Sequence, residues 1–80
     1  MASDPQVEQL RSLTAEVLGV DESDITDDSS SKTIPQWSSF NHLTLMSTVE
    51  ETFGLTFSMQ EMTDLQTFRD LVNLVHSHVA

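Results

Sequence analysis

A chain of 80 residues with a formal net charge of −10 and no cysteine is bounded before any motif is read. The length holds one domain, residues 1–80, near the lower size at which an apolar core holds a fold unaided; the missing thiols exclude disulfide frameworks, thiolate metal sites and cysteine nucleophiles. Thirteen acids oppose only Arg11, Lys32 and Arg69, a negative field that makes nucleic acid an improbable partner.

The N-terminal Met1-Ala2-Ser3-Asp4-Pro5 lacks the basic-then-apolar order of a signal peptide, and no apolar run approaches the ~20 residues of a membrane span. A soluble, cytoplasmic monomer is expected. Ser3 and Asp4 read as a cap before Pro5 in the first turn of a helix, with Val7, Leu10, Leu13, Val17 and Leu18 on one face and Gly19 closing it. Residues 20–37 then form an acidic, serine-rich connection anchored by Ile25 and Ile34, with Ser29-Ser30-Ser31 as part of the crossing. So long a loop between helices belongs to a segment that crosses the domain or serves function.

The second helix is predicted over residues 39–53. Ile34-Pro35 disfavours helix upstream, while Leu45, Val49 and Phe53 recur at four-residue steps, Met46 widens the stripe, and Gly54 ends it. Ser58-Met59-Gln60-Glu61 has the form of a capping box opening a short third helix. A fourth helix begins near Thr67 and presents Phe68, Leu71, Val72, Val75 and Val79 as an apolar face. Leu55-Thr56-Phe57 is the one stretch with a brief extended pattern. Three longer helices and one short one, each apolar on one side, bury those stripes only against each other, so the fold class is all-α, a small four-helix bundle with a long loop between helices 1 and 2.

Trp37-Ser38-Ser39-Phe40-Asn41-His42-Leu43 is the most informative stretch, because it places hydroxyls where a loop ends and a helix begins. Ser38 suits the N-cap. Ser39 then lies in the first turn, where an attached anion is favoured by the helix dipole and free amides.

The same stretch, with Thr44-Leu45, Val49-Glu50-Glu51-Thr52-Phe53-Gly54, the segment from Gly19 to Ile25, and Phe68-Arg69-Asp70-Leu71, resembles the acyl carrier protein family over nearly the whole chain. The usual family motif is Asp-Ser-Leu; here Ser38 stands for the Asp and Phe40 for the Leu. The resemblance implies a 4'-phosphopantetheine arm, taken from coenzyme A, on Ser39. It also implies a non-catalytic protein that presents thioester-bound acyl groups to enzymes of fatty acid, lipid or polyketide-type biosynthesis. Expected partners are a phosphopantetheinyl transferase and acyl-activating, synthase or acyltransferase enzymes. The alternative is an unmodified interaction module with the carrier fold and no covalent cargo.

Enzyme chemistry has weaker support. His76 and His78 are two apart on a helix and face different ways, and no zinc spacing is present. A Ser39–His42 dyad has the sequence separation but no third orienting group or oxyanion hole. Glu50 and Glu51 diverge by about 100 degrees as helical neighbours; as docking acids they read better, alongside Phe40, Leu43 and Met46. The acids among residues 21–28 read as a solvated loop. Met46, Met59 and Met62 fit either an adaptable contact surface or core filling, the latter preferred for Met62. Trp37 either staples the loop to the bundle or stands beside the arm. Leu45, Val49, Phe53, Leu65, Phe68 and Val72 are the side chains expected to part around an acyl chain.

Overall fold

The computed structural model describes residues 5–79. Helix α1 spans Pro5–Leu18, α2 Ser39–Phe53, α3 Met59–Asp64 and α4 Phe68–Val79, with a 3-10 turn at Glu22–Asp24 between α1 and α2. The small helical bundle and its long first connection are as expected. No β-strand occurs among the described residues; residues 55–57 join α2 to α3 without pairing, and the bridge between Ser30 and Thr67 is isolated.

The first two long helices end at the glycines that the sequence marks. Gly19 and Gly54 take the left-handed conformation at φ 72° and 68°, which a side chain resists and glycine does not. At the start of α2, the Oγ of Ser38 accepts the N–H of Asn41 at 3.2 Å. At α3 the reciprocal box closes, Glu61 N–H to Ser58 Oγ at 3.1 Å and Ser58 N–H to Glu61 Oε1 at 2.8 Å. The cap expected at Ser3 and Asp4 lies outside the described residues.

The core is built by the three longer helices and the segments that connect them. Leu10, Thr14, Ala15 and Leu18 come from α1, Leu45, Met46 and Val49 from α2, Phe68, Leu71 and Val75 from α4; α1 packs on α2, and Leu65 and Phe57 fill the ends around α3. Arg11 lays its guanidinium over the Phe68 ring, 5.7 Å from the centroid. Val79 departs from the expected α4 stripe: it is exposed at the last residue of α4.

The long loop crosses the domain and is built around side chains that point inward. Ile25, Ile34 and Trp37 are buried in the core. Ser29 is buried as well, its Oγ accepting the Thr26 N–H at 2.8 Å and donating to the Asp24 carbonyl at 3.3 Å. The loop's carbonyls then serve α4. Ser29 O accepts the N–H of Phe68 at 2.9 Å and Asp27 O that of Arg69 at 3.1 Å, while Asp70 Oδ2 takes the N–H groups of Gln66 and Thr67 at 2.9 and 3.2 Å. The amides that a helix start leaves without intrahelical partners are thereby satisfied.

Candidate functional site

Because Ser38 is spent on the cap, Ser39 is the first residue of α2, exposed and free of that duty. The cap itself is held from the loop side, where Asn41 Nδ2 donates to the Gln36 carbonyl at 2.7 Å. No acid stands in the first turn of α2. An anion joined to Ser39 therefore meets the positive end of the helix without a neighbouring carboxylate.

Ser39 opens onto a cleft of ≈ 370 Å³ between the start of α2 and the end of α3. Its polar rim consists of Ser31, Ser38, Ser39, Thr63 and Gln66; Trp37, Leu43, Met62 and Leu65 supply its apolar lining. Trp37 is buried, as expected of a staple, and also lines the cleft beside Ser39.

His42 stands in the same wall and is fully engaged. The indole Nε1–H of Trp37 donates to its Nδ1 at 3.1 Å, and its Nε2 pairs with the Met62 carbonyl at 2.9 Å. An indole only donates and a carbonyl only accepts, so Nδ1 is bare and Nε2 carries the proton. With both nitrogens occupied, no lone pair is left to take a proton from Ser39, and the Ser39–His42 dyad loses its base.

The expected docking residues separate on inspection. Phe40 is 76% exposed and Leu43 55%, one turn apart on α2 and open to a partner; Glu51 is exposed too. Met46 corrects the expectation: it is fully buried in the core and presents nothing to a docking surface. Its position on the inner stripe, next to Leu45 and three residues before Val49, decides this. Glu50 is also bound within the fold, its Oε2 accepting the Phe57 N–H at 2.7 Å. Met59 is exposed at the first position of α3 and Met62 partly buried against the core, as preferred for it.

Of the six side chains expected to part around cargo, Leu45, Val49, Leu65 and Phe68 are buried, with Phe53 and Val72 packed at their edge. Leu65 alone among them lines the cleft. The other five are packed in or against the core and do not line the cleft.

The sequence left two relationships unseen. The pairing of His42 with Met62 joins positions 20 apart and has no local signature. The Thr67–Asp70 cap of α4, with Asp70 N–H on Thr67 Oγ1 at 3.2 Å, does have one, the Thr-x-x-Asp spacing.

No group of three or more metal-ligating side chains occurs among the described residues, and no described helix is long and apolar enough to cross a membrane. The chain matches no protein-family model and no curated protein significantly.

Proposed function

We propose that this protein is a non-catalytic carrier whose Ser39 holds a 4'-phosphopantetheine arm donated by coenzyme A. The observation that carries the reading is the division of labour between two adjacent serines. Ser38 caps α2 through the Asn41 amide, and Ser39 stands exposed at the first helical position, on the rim of a cleft. The residues present suit the group: a hydroxyl for the phosphodiester, a helix start without carboxylates for its charge, and a rim of hydroxyls and an amide beside an apolar lining for the rest. Once bound, the arm supplies a terminal thiol that holds an acyl group as a thioester, chemistry the cysteine-free chain lacks.

What the chain itself contributes is placement. Ser38 and Asn41 fix the helix start, Trp37 and His42 build one wall of the cleft, and the tether raises the local concentration of the carried group at a partner's active site. The partners that fit are a phosphopantetheinyl transferase and acyl-activating, synthase or acyltransferase enzymes.

The test is intact mass after incubation with coenzyme A and a broad-specificity phosphopantetheinyl transferase. One phosphopantetheine is expected, mapped by peptide analysis to Ser39 and abolished by Ser39→Ala. Modification on Ser38, or none with any competent transferase, overturns the assignment and leaves the unmodified interaction module.

A further inference from the structure

Between the cleft beside Ser39 and the core, the end of α3 is tied to α2 by a hydrogen bond. Met62 lies near the C-terminal end of α3, where carbonyls lack intrahelical donors. The amide four residues on, that of Gln66, donates to Asp70 Oδ2 instead. The Met62 carbonyl is therefore left to His42, whose Nε2–H caps α3 from a different helix.

That tie matters because α3 has only six residues, far below the length at which a helix is stable by itself in water. Its start is fixed by the Ser58–Glu61 box, and the tie to His42 fixes its end. Just beyond the end, Leu65 lines the cleft on one side and belongs to the core on the other, 8% exposed. Behind it Leu45, Val49 and Phe68 are closed to solvent. A chain passing from the cleft into the core must move Leu65 and the end of α3 away from α2, which breaks the bond between His42 and Met62.

We propose that His42 is a positioning residue, a latch across the seam of α2 and α3, so that a group carried on Ser39 reaches the apolar core only when the His42–Met62 hydrogen bond opens. The proposal rests on the carrier reading of Ser39. It assigns the specificity of the carrier to the balance between one hydrogen bond and the apolar area the cargo buries: polar or short acyl groups stay in the cleft, and a long saturated chain opens the latch. Trp37 sharpens the device, because its N–H holds the imidazole in the tautomer that keeps the latch donor on Nε2.

Three variants separate the two ends of the imidazole. His42→Gln places an amide N–H near Nε2 and keeps the donor to Met62. His42→Asn keeps an acceptor near Nδ1 for Trp37 but is too short to reach Met62, and His42→Ala keeps neither. Hydrogen exchange of the unmodified proteins is expected to quicken about fivefold at residues 62–66 in the Asn and Ala variants, the worth of one net hydrogen bond, with α1 unchanged and the Gln variant close to the parent.

The holo proteins are then loaded with an octanoyl group, and the methyl shifts of Leu45 and Val49 report core occupancy. Occupancy is expected to rise about fivefold in His42→Asn and His42→Ala over the parent and His42→Gln. Equal occupancy in all four proteins, unaltered exchange at residues 62–66, or a Gln variant that behaves like Ala overturns the latch while leaving the modification at Ser39 in place. Failure of Ser39 to gain mass in the parent overturns the carrier reading and the latch together. Should Ala unfold, the Asn and Gln pair decides alone.

Discussion

The carboxylate of Glu50 accepts the backbone N–H of Phe57 at 2.7 Å, so a residue on the outer side of α2 organises the turn that leads into α3. The Glu50 carbonyl also takes the N–H of Leu55 at 2.9 Å. Glu50→Ala leaves the Phe57 amide without its charged acceptor and is expected to cost about 1–2 kcal/mol in denaturant unfolding. Glu51→Gln, on an exposed neighbour, is expected to stay within about 0.5 kcal/mol. Equal losses for both would remove the distinction.

A second prediction concerns Thr14, whose Oγ1 is buried among apolar side chains without a hydrogen-bond partner. Valine has nearly the same shape and no hydroxyl to desolvate. Thr14→Val is expected to raise stability by about 1 kcal/mol, read as a higher midpoint of chemical denaturation with unchanged slope.

The contact between loop and α4 predicts opposite outcomes for adjacent residues. Arg69 pairs with Asp27 at 3.0 Å, but both side chains are more than half exposed, 67% and 54%. Removing such a pair costs about 0–1 kcal/mol. Asp70 instead holds two backbone amides, those of Gln66 and Thr67, and Asp70→Ala is expected to cost about 1–2 kcal/mol as the loss of a helix cap. Thermal unfolding of the two variants side by side checks the order.

Glu61 gives an acid-side signature. The Ser58 amide, and after it the imidazole of His78 at 2.9 Å, hold its carboxyl below the ordinary value of 4.5. A group whose folded pKa is depressed binds its proton more readily when unfolded, so its contribution is complete above 4.5 and is lost as pH falls through the folded value. Glu61→Gln, which retains box geometry, is expected to flatten the decline of stability below that pH. An identical slope in parent and variant would show that other carboxylates carry it.

Docking is the last prediction. From Ser39 to Val49 the second helix carries no acid or fixed positive charge, and the large apolar side chains it exposes are Phe40 and Leu43. A large apolar anchor contributes more than 1 kcal/mol to an interface where a rim charge gives little. Phe40→Ala is expected to slow transfer to a partner enzyme about tenfold or more, and Glu51→Gln to change it less than threefold. Rates at two ionic strengths decide: strong loss on adding salt, with Phe40→Ala silent, would make recognition electrostatic.

The local chemistry of the chain was legible and the distant chemistry was not. Pro35, Gly19, Gly54 and the Ser58–Glu61 box act within a few residues of themselves, so the helix limits followed from them, and Ser38 was recognisable as a cap by the same logic. Met46 was misread because a stripe two or three residues wide has no sharp edge in a linear pattern: Met46 falls inside the buried arc, and Glu50 at its edge, near enough to reach the Phe57 amide. The His42–Met62 bond depends on where α3 comes to rest, and the loop's service to α4 depends on which carbonyls the crossing happens to bring there. Neither quantity exists before the bundle is assembled.

The order of synthesis gives the crossing loop a further meaning. Its acceptors at Asp27 and Ser29 leave the ribosome well before their donors, Arg69 following Asp27 by 42 positions. Until α4 emerges, the carbonyls of Asp27 and Ser29 lack the amides of Arg69 and Phe68, and the start of α4 has only its own Thr67–Asp70 cap. A chain halted before Phe68 would lack Phe68, Leu71 and Val75 from its core, and would display to the cell the apolar surface by which chaperones and proteases recognise unfinished proteins.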